Sequence, residues 1–376
     1  MTTPYYLYDT KLLRKTLDAI NKGASTIENS FVHYAVKACT NPKVLEVIRD
    51  AGLGIDCVSG GEIEAVVKAG FDPARIMFAG VGKADWEIQL ALDYGIECFV
   101  AESIPELEVI NEFAAKSNKI ADVCLRINPN VGAHTHANIV TGLSENKFGI
   151  NMADMMDVIK LCDELSQINF RGLHFHIGSQ ILEMDDFEAL CRRINELQDK
   201  LDEAGIHADI IDVGGGLGID YENPEKNPIP DFDRYFGVFR NHLKLRKGQE
   251  LHFELGRAVV GQCGRLITKV LFVKSSGPKQ FAIVDAGFTD LIRPALYDAH
   301  HKIVNISNTD DEYETYDVVG PICESSDVFD KDVRLKKTKR GDLLAILSAG
   351  AYGEIMASQY NCRRLPKGYT EEELAD

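Results

Sequence analysis

Short apolar segments alternate with amphipathic segments along the chain as far as Gly256. Eight apolar segments end in polar, glycine or charged residues, and they begin at Phe31, Leu53, Arg75, Ile96, Asp122, Arg171, Ala208 and Glu250. Between them, apolar residues recur at helical spacing in 42–50, 62–69, 86–92, 104–115, 152–165 and 187–204. Nearly continuous apolar strands that alternate with amphipathic helices are typical of a parallel sheet covered by helices.

The number of these strand and helix pairs distinguishes between two folds. Eight units in about 230 residues predict a (β/α)8 barrel, the TIM-barrel fold. An open doubly wound sheet is the alternative, because it also alternates strands with helices, but it does not need eight units and more often has a phosphate-binding turn after its first strand. We therefore predict a barrel over residues 21–257.

The pattern changes after the eighth strand. Short β-type runs separated by turns begin at Arg265, Lys279, Tyr316 and Gly341, and no long helical period accompanies them. This pattern predicts a C-terminal all-β domain over residues 258–376. Residues 1–20 contain a further strand-like run, Tyr5-Tyr6-Leu7-Tyr8, which we expect to join the β domain rather than the barrel.

Composition narrows the function classes. The chain has 376 residues and a formal net charge of −17, which argues against nucleic acid or an anionic membrane as partner because like charges repel. It contains no apolar run of about 18 residues and no basic-then-apolar N-terminus, so we expect neither a transmembrane helix nor a signal peptide. Nine cysteines without a CxxC pair indicate reduced thiols and a cytoplasmic location.

The chemistry of a TIM barrel lies at the C-terminal ends of its strands, so the residues there are the candidates. Lys37 follows the first apolar run, and a partly desolvated lysine favours Schiff-base chemistry. The alternative is a lysine that only extends its amine into solvent at the rim. The seventh strand is followed by the glycine run 214–216, which is either a flexible turn or a phosphate cradle.

Glu254 lies at the end of the eighth strand, close to the predicted phosphate cradle. A carboxylate beside a phosphate is repelled unless a cationic group lies between them. Pyridoxal phosphate meets this condition, because it uses a lysine for its aldehyde, a carboxylate for its protonated ring nitrogen and a glycine turn for its phosphate. The coincidence of all three residue types at strand ends predicts this cofactor.

His174 and His176 lie two residues apart on the sixth predicted strand and so point the same way. They would form a zinc pair only if further ligands came from elsewhere. The other histidines considered were His33 and His252, within strands, and His134 and His136, in a predicted loop. We adopt the competing interpretation, in which no metal is bound and one imidazole stacks on a planar ring. Ser179 would then lie near the phosphate that this ring carries.

Nine segments carry a resemblance to a known family: HYAVKACTNPKVL, DCVSGGEIE, RINPNV with TGLSENKFGI, GLHFHIGSQI, DVGGGLGIDY, ELGRAVVG, DAGFTDLIRPALYDAHH, VVGPICESSD and AGAYGEIMASQYNCR. Over nearly its full length the chain resembles the diaminopimelate decarboxylase family of fold type III pyridoxal-phosphate enzymes. The family usually has proline where this chain has Leu255. We expect this difference to relax the turn slightly and to leave the neighbouring roles unchanged.

The resemblance implies roles for individual residues. It makes Lys37 the residue that bonds the cofactor, His176 the ring that stacks on it, and Cys323 the proton donor. The implied cofactor-binding residues are Lys37, Asp56, His176, Ser179, Gly215, Gly216, Glu254, Gly256, Arg257 and Tyr352. The implied substrate-binding residues are Arg257, Arg293, Tyr297, Glu324 and Tyr352.

The resemblance also implies an activity and an assembly. The activity is decarboxylation of meso-2,6-diaminopimelate to L-lysine, the last step of lysine biosynthesis, in a homodimer where Cys323 and Glu324 complete the partner's site. Related decarboxylases act on ornithine, arginine or carboxynorspermidine, and these remain alternatives. A non-catalytic pyridoxal-phosphate carrier would have little use for Cys323, Arg293 and Tyr352, and a zinc hydrolase would instead use the histidine pair.

Overall fold

The computed structural model describes residues 2–132, 147–309 and 311–375. Its strands are β1 (Tyr5–Tyr8), β2 (Ser30–Ala35), β3 (Gly54–Cys57), β4 (Ile76–Phe78), β5 (Cys98–Ala101), β6 (Ala121–Asn128), β7 (Ile150–Asn151), β8 (Ile168–His174), β9 (Ile210–Asp212), β10 (Glu250–Leu255), β11 (Gly264–Ser276), β12 (Lys279–Val284), β13 (Ile303–Asn305), β14 (Tyr313–Val319), β15 (Val328–Lys336), β16 (Leu343–Ile346) and β17 (Lys367–Thr370). Its α-helices are α1 (Thr10–Ala24), α2 (Pro42–Asp50), α3 (Gly60–Lys68), α4 (Asp85–Tyr94), α5 (Ile104–Lys116), α6 (Met155–Glu164), α7 (Met184–Glu203), α8 (Phe232–His242), α9 (Arg257–Val260), α10 (Arg293–Tyr297) and α11 (Glu371–Ala375).

The first sheet is a closed barrel of parallel strands. In the described residues its order is β5-β4-β3-β2-β10-β9-β8-β6, and β5 pairs with β6 to close the ring. The short strand β7 pairs in parallel with Ile127 and Asn128 at the end of β6. The prediction of a (β/α)8 barrel followed by a β domain is therefore confirmed, and each of the eight predicted apolar runs overlaps one barrel strand.

Local sequence signals explain where the barrel helices begin. The Asn41 side chain accepts a hydrogen bond from the Lys43 N–H at the start of α2, with Pro42 in the first turn. Ser59 caps α3 in the same manner, and Ser103 caps α5. Each cap comes after a strand of the barrel, so the polar residues at these strand ends also start the next helix.

Aromatic side chains pack α7 and α8 onto the barrel wall. The rings of Phe236 and Phe239 on α8 lie edge-on to Phe253 of β10, with centroids 4.9 and 5.1 Å apart. Phe187 of α7 contacts Tyr235 of α8 at 5.0 Å. These rings are fully buried, so this contact fixes β10, which carries Glu254, from its outer side.

Residue contacts divide the chain into two compact units. The barrel unit consists of Leu17–Gly218 and Asp231–Gly256, and the β unit consists of Met1–Thr16, Ile219–Pro230 and Arg257–Asp376. The predicted domain boundaries after residues 20 and 257 remain a prediction. The segment Ile219–Pro230, which the sequence pattern assigned to the barrel, groups with the β unit.

The β unit is built on a mixed sheet with the order β13-β16-β11-β12-β14-β15 among its described residues. Strand β1 pairs antiparallel with β11 and parallel with β17, so the chain's first strand belongs to this sheet. None of the helices in the described part of the chain combines the length and apolar character that a membrane crossing requires.

Candidate active site

Lys37 lies in a short 3-10 turn, Val36–Ala38, that follows β2 directly. Its Nζ donates a hydrogen bond of 2.9 Å to Oδ2 of Asp56 on the neighbouring strand β3. The lysine side chain is 38% exposed, whereas the aspartate side chain is fully buried. Burial and the nearby Glu254 raise the pKa of Asp56 to about 7, although Lys37 opposes this. The amine is thus held at the barrel rim by a carboxyl group that is only partly ionised at neutral pH.

A buried acid pair and a histidine lie on the adjoining strands. Nε2 of His174, the last residue of β8, is 3.1 Å from Oε2 of Glu254 on β10. Asp212 ends β9 between them and accepts the Gly214 N–H at 2.8 Å. Burial and Glu254 raise the pKa of Asp212 well above its ordinary value. Burial also acts to raise the pKa of Glu254, but His174 and Lys37 hold it below its ordinary value, so Asp212 keeps the proton and Glu254 is ionised.

Among the described residues, one carboxylate oxygen of Glu254 has no hydrogen-bond partner. Oε1 is buried and has no hydrogen bond to any described residue, while Oε2 faces His174. A buried carboxylate oxygen without a donor is costly unless a ligand supplies one. The protonated ring nitrogen of pyridoxal phosphate is such a donor, so this residue fits the predicted cofactor.

The glycine run after β9 packs against two other strand ends. A Cβ on Gly215 would lie 1.8 Å from the backbone oxygen of Glu254, and one on Gly214 would lie 2.3 Å from the backbone oxygen of Phe175. Gly214 and Gly216 also have φ values of +66° and +107°, which side chains disfavour. The turn therefore requires glycine, and its backbone N–H groups are free of side-chain bulk, as a phosphate cradle requires.

His176 and Ser179 lie in the segment that leaves β8 toward this glycine turn. The Gly215 N–H donates to Nδ1 of His176 at 3.3 Å, and the Ile181 N–H donates to the Gly216 carbonyl at 2.9 Å. Burial, with Arg126 and Lys37, lowers the pKa of His176 well below its ordinary value, so the ring is neutral. A partly buried neutral imidazole suits stacking on a flat ring.

The β unit contains a second group of predicted residues. Arg257 and Arg293 are each 6% exposed, and both guanidinium groups lie near the rings of Tyr221 and Tyr352. Tyr297 also faces Arg293, 5.8 Å from its Cζ to the ring centroid. We call these five residues the arginine–tyrosine cage. Its aromatic faces stabilise the two cations without neutralising them.

Arg293 retains its charge without a carboxylate partner. Among the described residues, no ion pair of the chain involves Arg293, and its side chain donates one hydrogen bond, from Nε to Nε2 of His301 at 3.3 Å. Arg257 donates from Nη1 to the Tyr221 hydroxyl at 2.7 Å. Burying an unpaired guanidinium is costly, so the cage is suited to binding an anionic group such as a ligand carboxylate.

Cys323 and Glu324 lie on the loop between β14 and β15. The buried Asp327 side chain holds this loop by accepting the N–H groups of Phe288 at 2.6 Å and Ile322 at 2.7 Å. Cys323 is exposed, and Glu324 accepts a 2.7 Å hydrogen bond from the hydroxyl of Tyr360, itself exposed. Among the described residues, no hydrogen bond or ion pair joins either one to the arginine–tyrosine cage of the same chain.

The structure thus brings the predicted residues together in groups. The barrel group contains Lys37, Asp56, His176, Ser179, Gly215, Gly216, Glu254 and Gly256, and the cage contains Arg257, Arg293, Tyr297 and Tyr352. Sequence reasoning missed Asp212, Tyr221 and His301. Only position in the sequence could have indicated these three residues. Asp212 and Tyr221 flank the glycine run, and His301 ends the segment that contains Arg293.

The histidine pair does not form the predicted alternative zinc pair in the described residues. His174 groups with Asp212 and Glu254, close enough to share an ion, whereas His176 is not part of that group. His33 and His252 contact each other, 3.0 Å between Nε2 and Nδ1, and with Glu97 they form a second group in the described residues that is close enough to share an ion. His134 and His136 lie outside the described residues.

Comparisons with known proteins agree with this chemistry. A family model described as "Pyridoxal-dependent decarboxylase, pyridoxal binding domain" matches residues 13–261. The diaminopimelate decarboxylase of Bacteroides thetaiotaomicron is 66% identical over 374 residues, which cover 100% of this chain and 97% of the relative.

Solved structures match the whole fold. The diaminopimelate decarboxylase of Helicobacter pylori complexed with L-lysine has a TM-score of 0.93 and 38% identity, covering 99% of this chain and 92% of that one. The enzyme of M. jannaschii in complex with L-lysine has a TM-score of 0.91 and 33% identity, covering 98% and 88%. Both chains align with the barrel unit and the β unit together.

Proposed function

Since the chain belongs to the pyridoxal-dependent decarboxylases, and within them to the diaminopimelate decarboxylase family, we propose that it converts meso-2,6-diaminopimelate into L-lysine and CO2. This reaction is the last step of lysine biosynthesis, and pyridoxal phosphate is the cofactor. The observation that carries the choice of substrate is the buried Arg293, which lacks a carboxylate partner among the described residues. A substrate with a second carboxylate supplies that partner.

The barrel residues fit the cofactor. When bound, pyridoxal phosphate supplies the electron sink for the electron pair released as CO2 leaves. We assign Lys37 to the cofactor aldehyde, with Asp56 holding its amine, and Glu254 to the ring nitrogen through its unpartnered Oε1. We assign His176 to the ring face, where its neutral imidazole would stack.

The phosphate end is assigned to residues that follow β8, β9 and β10. The backbone of Gly215 and Gly216 forms the cradle, since a side chain at either position would clash with neighbouring backbone. Ser179 supplies a hydroxyl. Gly256 lets the backbone after β10 pack closely against Ala35 and Ala38, because a Cβ at this position would lie 3.2 Å from their side chains. Arg257 is assigned to cofactor binding as well, as the family resemblance implies.

The cage binds the end of the substrate that does not react. We assign Arg257, Arg293 and Tyr297 to the distal carboxylate, Glu324 to the distal amine, and Tyr352 to both cofactor and substrate. Tyr352 has a φ of 56°, a conformation uncommon for a residue with a side chain, and its ring lies 5.0 Å from the Arg257 Cζ. Strain of this kind is retained where a side chain must be held in one place.

Cys323 is our candidate for the proton donor to the carbon that loses CO2. It is exposed, unlike the seven buried free cysteines of the described residues. An accessible thiol that can give up its proton suits a general acid better than one enclosed in a core. Its loop is fixed by Asp327, so the thiol is presented at a defined place.

A substrate panel tests the proposed function. The purified protein, loaded with pyridoxal phosphate, is supplied in turn with meso-diaminopimelate, ornithine, arginine and carboxynorspermidine, and CO2 release is measured. We expect rapid CO2 release from meso-diaminopimelate with L-lysine as the product, because that substrate alone among the four places a second amino-acid carboxylate at the cage. Equal release from ornithine or arginine would contradict the substrate assignment while leaving the cofactor assignment intact.

We also propose that the protein is a homodimer in which each site takes Cys323 and Glu324 from the partner subunit. The proposal is supported by their exposure and by the absence, among described residues, of a bond between them and the cage of their own chain. A surface loop held rigidly by Asp327 is suited to insertion into a neighbouring subunit.

We further propose a cytoplasmic location for the protein, which its free cysteines support.

Mixing two inactive variants should restore activity if the sites are shared. Lys37→Ala and Cys323→Ala chains are mixed, dissociated and reassociated. Random pairing makes half the dimers hybrids, each with one intact site, so about a quarter of wild-type activity should return. Cys362→Ala, which changes the other exposed cysteine, is the matched control and should remain active by itself. No recovery, with subunit exchange verified by mass, would show that each site comes from one chain.

A further inference from the structure

His301 is a buried histidine that contacts one of the cage arginines. It is 1% exposed and follows α10, the short helix that begins with Arg293. Its Nδ1 lies 3.0 Å from the Leu347 carbonyl oxygen, and its Nε2 lies 3.3 Å from Nε of Arg293. Both ring nitrogens are therefore engaged within the β unit.

These two contacts determine where the ring proton lies. A carbonyl oxygen only accepts, so Nδ1 carries the proton and donates it to Leu347. Nε2 is then a bare lone pair, which accepts the Nε–H of Arg293. Burial, together with the charge of Arg293, lowers the pKa of His301 to about 3. The ring is therefore neutral at physiological pH.

The contact occupies the Nε–H of Arg293, a donor that a carboxylate bound to the two terminal amino groups does not use. With Nε occupied, the plane of the Arg293 guanidinium is fixed, and its two terminal amino groups remain for a carboxylate. The rings of Tyr221, Tyr297 and Tyr352, at 5.7 to 5.9 Å from Cζ, limit tilting of that plane. Tyr221 also lies edge-on to His301, with ring centroids 5.1 Å apart, and so restrains the histidine itself.

A neutral acceptor has a specific advantage at this position. Aspartate or glutamate would also accept the Nε–H, but it would neutralise Arg293 and compete with a ligand carboxylate. Lysine would bring a third positive charge beside Arg257 and Arg293. Histidine orients the arginine and leaves its charge available for the ligand.

We propose that His301 is the positioning residue that sets Arg293 for the distal carboxylate and thereby makes the site select ligands that carry it. The inference rests on the proposed function, since it assumes that Arg293 binds that carboxylate. It assigns to His301 no contact with substrate or cofactor. Its effect passes entirely through the Arg293 guanidinium.

A matched pair of ligands separates this role from a general effect on folding. L-lysine and cadaverine differ only in the carboxylate, and their dissociation constants are measured by titrating the absorbance of the bound cofactor. In His301→Phe, which keeps the volume but removes the acceptor, lysine affinity should fall by about 10- to 100-fold, the effect of losing a hydrogen bond to a charged group. Cadaverine affinity should stay unchanged. KM for diaminopimelate should rise with little change in kcat.

Two further variants sharpen the test. His301→Gln offers an amide oxygen to Arg293 without charge and should recover most of the preference for lysine. His301→Glu accepts the same hydrogen bond but neutralises the arginine, so lysine affinity should fall as in the Phe variant. If His301→Phe does not fold, as judged by its melting temperature and cofactor content, the Gln and Glu pair decides alone.

The outcomes distinguish this inference from the function beneath it. If the wild-type protein binds lysine no better than cadaverine, recognition of the distal carboxylate is wrong and the proposed function fails. If the wild type prefers lysine and either the Phe or the Glu variant keeps the full preference, the positioning role of His301 is overturned. Loss of the preference in both, with recovery in His301→Gln, supports it.

Discussion

Replacing Lys37 by alanine should abolish turnover, with a loss on the order of 10⁴-fold or more, because the covalent attachment and a proton-transferring amine disappear together. The structure motivates this expectation by holding the Lys37 amine at the barrel rim on Asp56, in the same group as the ionised Glu254. Borohydride treatment of the wild-type protein should fix the cofactor to the peptide that contains Lys37. In Lys37→Ala that adduct should be absent by mass spectrometry.

Two control variants make the Lys37 result specific. Lys37→Arg keeps a cation beside Asp56 but cannot bond an aldehyde, so it should be as inactive as the alanine variant while remaining folded. Lys43→Ala removes an exposed lysine whose ion pair among the described residues is with Glu46, and should behave as wild type. An adduct of unchanged yield on another lysine in Lys37→Ala would show that the cofactor lysine has been assigned wrongly.

Arg293→Ala should remove much of the discrimination between substrates. A site built to bind a polar group rejects analogues without it by about 10⁴- to 10⁵-fold, which is the preference for meso-diaminopimelate over ornithine expected of the wild type. Removing one partner of a buried charge pair costs about 2–5 kcal/mol, so the preference should fall by about 30- to 4,000-fold in Arg293→Ala. The ratio of kcat/KM for the two substrates measures it.

Cofactor loading separates a local effect of Arg293→Ala from a general one. Among the described residues, Arg293 has no hydrogen bond or ion pair with Lys37, Glu254 or the glycine turn, and its contacts are with the cage tyrosines and His301, so absorbance of the bound cofactor should match the wild type. Arg334→Ala is a suitable control, since this arginine also lies over a tyrosine, Tyr313, but both residues belong to the strand pair β14–β15 and neither is part of the cage. Its selectivity should be unchanged. A wild-type substrate ratio in Arg293→Ala would contradict our assignment.

The barrel was predictable because its signal is repeated. Each strand is buried on both sides and therefore reads as an apolar run, and polar caps such as Asn41, Ser59 and Ser103 mark the helix that follows. Sequence reasoning did not predict α1 and α8 as helices, and it also omitted the short helices α9, α10 and α11. Helix α8 buries the aromatic residues Phe232, Tyr235 and Phe236 at helical spacing, so the signal for this helix was present in the sequence.

The candidate site was predictable where one residue type has one chemistry. A lysine, a glycine run and a carboxylate at strand ends indicate pyridoxal phosphate without any knowledge of distances. The division of labour within the acid pair was not predictable, because Asp212 and Glu254 differ only in their neighbours, and the His174 contact decides which one is ionised. The role of His301 was not predicted, because it depends on a hydrogen bond to the Leu347 backbone, which no sequence pattern encodes.

The cage is assembled from four separate stretches of a single unit, around Tyr221, Arg257, Arg293 and Tyr352, and no barrel strand contributes to it. Directed evolution of substrate preference can therefore be confined to a small combinatorial library at these stretches. Such a library leaves the glycine turn, Lys37 and Glu254 untouched, and it should keep Arg257 and Tyr352, which are also assigned to the cofactor. Its members should then retain a cofactor chromophore by which folded variants are sorted before any activity is assayed. Laboratory diversification of the distal end is thereby decoupled from the residues that would make most variants lose their cofactor.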